Sequence, residues 1–163
     1  MIKMDEKLGI IEVDGFQITS KTSIKDFMTI KDRVTINKYK NKTAVTINDL
    51  QVHNGVKAEI TCMYQPRCPM RVKISTRFTG VPGEIYSKKY AKNSMLLARK
   101  WLKGLTSYTD TDFDKKMNLR FGEYGTIECV YYYCFKNDLY GYDDITIEMW
   151  RKQPEDIEYN ITR

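Results

Sequence analysis

The sequence predicts an α+β fold: one domain over residues 1–163, a mostly antiparallel β-sheet packed against one long amphipathic helix at 87–105, plus a short N-terminal helix. Three observations predict it. At 100° per residue, Tyr90, Ser94, Leu97, Ala98, Trp101 and Leu105 fall on one face, widened by Ala91, Met95 and Leu102 into a core-facing stripe. Elsewhere, short runs of alternating apolar and polar residues are separated by turn dipeptides such as Asp14-Gly15 and Asn54-Gly55. The 163 residues, 42% hydrophobic and 29% charged, have the composition of a globular chain. A chain of this size buries roughly 70% of its unfolded surface.

In the long helix, Lys88, Lys89, Lys92, Arg99, Lys100 and Lys103 lie opposite the apolar stripe. Ser87 stands at the N-cap position, and Gly104 stands where a left-handed residue would end the helix. Burial of Leu97 and Trp101 would contribute about 1.5–3 kcal/mol each, so the strands are expected to pack on this helix.

The earlier chain reads as strands. Gly9–Val13 and Phe16–Thr19 flank Asp14-Gly15. Thr22 or Ser23 can cap a short helix with Ile24, Phe27 and Met28 on one face. Val34–Tyr39 turns at Lys40-Asn41-Lys42 into Thr43–Val52, whose inward face is ambiguous. Val56–Tyr64 follows, and two prolines in the turn 65–69 exclude a central strand there. Met70, Val72, Ile74 and Thr76 then alternate with Arg71, Lys73, Ser75 and Arg77, one face apolar and the other basic. The last strands fall at Leu119–Phe121, Thr126–Phe135 and Ile145–Trp150, and the tail from Glu155 reads as loosely held.

Charge is unevenly placed. Residues 1–105 carry 20 Lys and Arg against 9 Asp and Glu; residues 106–163 carry 7 against 12. That predicts two surfaces of opposite sign. No apolar run approaches the roughly 20 residues of a membrane helix. The N-terminal residues lack an apolar signal core, so a cytoplasmic protein with reduced thiols is expected.

The residues offer little for catalysis. Five residues separate Cys62 from Cys68 and four separate Cys129 from Cys134, and His53 is the one histidine. Structural zinc prefers tighter knuckles, so the cysteines read as small buried hydrophobes. Nothing places Cys129 or Cys134 beside His53 as nucleophile and base. Asp110/Asp112 and Asp143/Asp144 read as turn carboxylates. Phosphate-cradling glycine motifs are absent. No enzyme and no cofactor are expected.

Two binding surfaces remain. Tyr131 to Asp144 joins the end of a strand to a loop rich in tyrosine and aspartate. Tyrosine gives contact area at low entropic cost, and clustered carboxylates steer a basic partner. Asp138, Tyr140, Tyr142, Asp143 and Asp144 are the candidate protein-binding residues. The alternative is a nucleic-acid face of Arg71, Lys73, Arg77, Lys92 and Arg99, with Tyr39 or Tyr64 stacking on bases. Leu96, amid the helix lysines, reads as an incidental exposed leucine or a small contact.

The order of features resembles small bacterial immunity proteins of polymorphic or contact-dependent toxin systems. The resemblance lies in Asp14-Gly-Phe-Gln-Ile-Thr-Ser-Lys-Thr-Ser-Ile-Lys-Asp-Phe27, in Lys100-Trp-Leu-Lys-Gly104, in Phe121-Gly-Glu-Tyr-Gly-Thr-Ile-Glu-Cys-Val-Tyr-Tyr132 and in Ile145-Thr-Ile-Glu-Met-Trp150. It implies a cytosolic α+β inhibitor that binds a cognate toxin domain and has no catalysis of its own. Many such toxins are nucleases, whose basic clefts would suit the Tyr/Asp loop. The net charge of +6 departs from the acidic character usual for nuclease immunity proteins, which leaves the toxin's chemistry open.

Overall fold

The computed structural model describes residues 1–52, 56–77, 88–109, 119–123, 125–132 and 142–149; at 49–52, 56–57, 77, 88, 91, 94–95, 128–132 and 142–146 the description is of backbone alone. A three-stranded antiparallel sheet opens the chain: β1 (Ile2–Asp5), β2 (Ile10–Val13) and β3 (Phe16–Ile18), in that order. Both turn residues between β2 and β3 have positive φ, Asp14 at 47° and Gly15 at 87°, as the tight hairpin turn requires. The Asp14 carboxylate also accepts from the N-terminal amine and, at 2.6 Å, from Arg33 Nη2. β1 is not anticipated by the sequence reading. Two apolar–polar alternations, Ile2-Lys3-Met4-Asp5, are too short a run to distinguish a strand from a coil.

The second sheet has seven antiparallel strands: β4 (Val34–Tyr39), β5 (Lys42–Val52), β6 (Val56–Tyr64), β7 (Met70–Arg77), β8 (Leu119–Arg120), β9 (Gly125–Tyr132) and β10 (Tyr142–Met149). Their order is β4-β5-β6-β7-β10-β9-β8. The first four form a meander. The chain then crosses to the far edge and returns, so β10 pairs with β7 as well as with β9.

Strand alternation places the core. Val45, Ile47, Ile60, Cys62, Val72, Ile74, Ile127 and Ile147 are fully buried on one face of the large sheet. They join Ile2, Ile11, Val13 and Ile18 of the small sheet in one cluster. This settles the inward face of β5 on Val45 and Ile47. The other face carries Thr46 and Thr61, bonded at 3.0 Å, together with Arg71 and Lys73.

The expected fold class is corrected. Among the described residues the molecule is mostly antiparallel β-sheet with two small helices, and no long amphipathic helix packs on the sheet. Helical backbone α1 spans Lys88–Lys103, but its buried side chains among those described, Ala98 and Leu102, both lie within residues 96–103. Leu97 and Trp101 are only half-buried and Leu96 is exposed. The physical reason is that the inner faces of the two sheets already supply most of the core, leaving the helix a short docking segment. The Ser87 cap lies outside the described residues. Gly104 is not left-handed; its amide instead donates to the Lys100 and Trp101 carbonyls, and Thr106 Oγ1 donates to the Leu102 carbonyl at 2.9 Å.

The N-terminal helix also departs from expectation. It is a 3₁₀ helix over Asp26–Arg33, broken at Ile30, rather than an α-helical turn at 24–28. Neither Thr22 nor Ser23 caps it. Ser23 donates through N and Oγ to Asp26 Oδ2 at 2.7 and 2.9 Å, holding that carboxyl below its usual range. Phe27 is fully buried, whereas Met28, expected on the same face, is exposed, because three residues per turn rotate it away.

Candidate functional site

The Tyr/Asp segment lies at one end of the large sheet. Asp138 and Tyr140 fall outside the described residues. Tyr142, Asp143 and Asp144 belong to strand β10, which corrects their reading as a loop. The β9–β10 ladder continues through Tyr142↔Tyr132, Asp143↔Tyr131 and Asp144↔Val130, while Asp144 also faces Ser75 of β7. Backbone register thus gathers Tyr131, Tyr132, Tyr142 and Asp143 at adjoining positions on two paired strands.

The basic set is split. Arg71 and Lys73 alternate with buried Met70, Val72 and Ile74, so they lie on the β7 face away from the core. Arg71 Nε donates to Glu148 Oε1 at 2.7 Å across β7 and β10, and both side chains keep substantial solvent contact. Such a surface pair contributes at most about 1 kcal/mol. Lys73 is half-buried. Arg77 ends β7 opposite Lys57, with its side chain outside the described ones. Lys92 is exposed and Arg99 half-buried on α1, which joins the core through Leu102. The sheet therefore stands between the strand pair and the helix pair.

Sequence reasoning missed a different basic surface. An open groove of about 1040 Å³ lies between the segment leading into the 3₁₀ helix, the β4–β5 turn and the β6–β7 turn. Its lining includes Lys25, Tyr39, Lys40, Lys42 and Tyr64, and among the described residues no carboxylate. Tyr64 Oη donates to the Thr22 carbonyl at 3.1 Å, tying the end of β6 to that leading segment. The Cys68 amide closes the β6–β7 turn on the Gln65 carbonyl at 3.3 Å. Lys42 Nζ sits 5.2 Å from the centroid of the Tyr39 ring, whose residue remains 56% exposed. A sequence signal exists, since two lysines and a tyrosine fall within the four residues Tyr39–Lys42. A polar turn accounts for them equally well until Lys25 and Tyr64 arrive from elsewhere in the chain.

Cys62 and Cys68 are free thiols. Cys62 is buried as expected, but Cys68 is exposed at the groove, which corrects its reading as a buried hydrophobe. The side chains of Cys129 and Cys134, and the whole of His53, Asp110 and Asp112, lie outside the described ones. Among the described residues no group of three His, Cys, Asp or Glu could hold a metal.

Burial pushes the Cys62 thiol up from 9.0 to about 12. Above the lower value the unfolded chain releases this proton while the folded chain keeps it, so stability falls as pH rises between those limits. The expected slope from this group is about 1.4 kcal/mol per pH unit. Urea midpoints taken between about pH 8 and 10 should fall more steeply for the wild type than for Cys62→Ala. Parallel slopes would exclude this coupling.

No helix among the described residues is long and apolar enough to cross a membrane. No family model matches the chain, and no curated protein or solved structure matches it.

Proposed function

We propose that this chain is a non-enzymatic binding protein that neutralises a cognate toxin or effector domain by direct contact, as a bacterial immunity protein acting in the cytoplasm. The contact residues are Asp138, Tyr140, Tyr142, Asp143 and Asp144. The observation that carries the reading is the β9–β10 register, which brings tyrosines of both strands beside Asp143 at one end of the sheet. Tyr142, Asp143 and Asp144, on paired strands, are positioned more rigidly than residues of a free loop, so less entropy is lost when they bind. Its carboxylates suit a basic partner surface, such as a nuclease cleft. The nucleic-acid reading through Arg71, Lys73, Arg77, Lys92 and Arg99 has less support, because those residues divide between two sides of the sheet.

The test begins with the tagged protein captured from its native host, with and without nuclease treatment. One protein retained in stoichiometric amount after nuclease is the expected result. The double variant Asp143→Lys/Asp144→Lys should lose that protein while its far-UV circular dichroism is unchanged. Undiminished capture by a folded double variant would exclude this site.

A further inference from the structure

We propose that the groove between the 3₁₀ helix and the β4–β5 and β6–β7 turns binds single-stranded nucleic acid, with a base stacked on Tyr39 and the backbone held by Lys25, Lys40 and Lys42. This site is separate from the toxin-contact surface, and either proposal can fail without the other.

The electrostatics favour a polyanion. Among the described residues, Lys25, Lys40 and Lys42 are all exposed, none is in an ion pair, and the groove lining contains no carboxylate to neutralise them. The three reach the groove from two separate segments, so their convergence is a product of the fold. Asp26, next in sequence to Lys25, is engaged by Ser23 through both N and Oγ.

Shape and aromatic chemistry narrow the class. At about 1040 Å³ the groove lies at the upper end of the roughly 300–1,000 Å³ of small-ligand pockets, but it is open to solvent and would not enclose one. It suits a length of chain. Tyr39 supplies a ring platform at the rim, and stacking on it requires an unpaired base. Double-stranded nucleic acid keeps its bases stacked on one another and would leave that platform unused. The carboxylates of an acidic protein segment would satisfy the lysines but gain nothing from the electron-rich face of the ring. Lysine contacts phosphate as a point charge, without the bidentate geometry of arginine, which predicts binding with little sequence preference.

Anisotropy of a short fluorescein-labelled oligothymidylate tests the proposal on the full chain. Each phosphate contact to a single strand contributes about −0.7 to the slope of log K against log salt, so three lysines predict about −2. The variant Lys25→Gln/Lys40→Gln/Lys42→Gln should flatten that slope and weaken binding at low salt. Tyr39→Ala should weaken it about tenfold with the slope unchanged. Lys7→Gln/Lys89→Gln/Lys100→Gln removes the same net charge from exposed positions outside the groove lining and should bind as wild type. Absence of binding at low salt overturns the proposal. So does equal weakening by both triple variants, which would mean attraction to net charge alone. Displacement by polyglutamate as readily as by unlabelled oligonucleotide, with no effect of Tyr39→Ala, would assign the groove to an acidic protein instead.

Discussion

Phe27→Ala is expected to destabilise the fold by about 3–5 kcal/mol, the range for emptying a buried phenylalanine site. Phe27 is fully buried, and its ring lies 4.9 Å from that of Phe16, tilted by 43°. Phe16 belongs to the small sheet, and the 3₁₀ helix that carries Phe27 packs on β4 and β5 of the large one. The side chain therefore joins the two sheets. Its removal forfeits the transfer free energy, the ring–ring contact and the packing around the void. Against the 5–15 kcal/mol that typically separates folded from unfolded states, this is a large share. Urea unfolding should show a much lower midpoint with an unchanged m-value. A loss under about 1 kcal/mol would mean that the void collapses and that Phe27 does not link the sheets.

The strands were largely legible because their signal is local. In β7 every second residue is buried from Met70 to Thr76, so the period of two needs no tertiary information to be read. Asp14-Gly15 identifies its turn because both residues must enter the positive-φ region. The helix was misjudged for the opposite reason. A stripe at period 3.6 shows that a helix can bury one face, but how much it does bury depends on what else competes for the core. Here the small sheet, including the unanticipated β1, contributes to the same core, and among the described side chains of α1 only Ala98 and Leu102 are buried.

The candidate sites were legible in unequal measure. Tyr142, Asp143 and Asp144 were singled out for their residue types but read as loop, since paired aspartates after Gly141 are a turn signal. The strand forms because β9 offers ladder partners as far as Tyr132, a pairing encoded in neither segment alone. The groove was less legible still. Its lysines and tyrosines come from residues 25, 39–42 and 64, and the hydrogen bond from Tyr64 to Thr22 spans 42 positions of sequence. Residues dispersed in this way look like ordinary surface lysines until the fold brings them together.

Gly125→Ala carries the other large expected effect on stability, about 3 kcal/mol at the upper end of what an added core methyl costs. A Cβ at Gly125 would lie 2.6 Å from the Phe121 carbonyl oxygen and 3.0 Å from that of Glu148. Both obstacles are backbone atoms, so no side-chain rotation relieves them. The first belongs to the turn between β8 and β9, where the Phe121 amide donates to the Gly125 carbonyl at 2.8 Å. The second lies on β10, whose Met149 is the register partner of Gly125. Accommodating the methyl means moving β9 away from both neighbours, which disturbs buried Phe121 and Met149 together. Gly15→Ala is the control. Its Cβ would meet nothing within 4 Å, so it bears only the strain of a positive φ, 87°, at an exposed turn. That strain costs about 1–2 kcal/mol. Urea midpoints should therefore fall further for Gly125→Ala than for Gly15→Ala. Amide exchange should quicken in β9 and β10 in the first variant, and only around the β2–β3 turn in the second. The reverse ranking would show that the close approach at Gly125 yields at little cost, and that the β8–β9 turn does not fix the start of β9 against the end of β10.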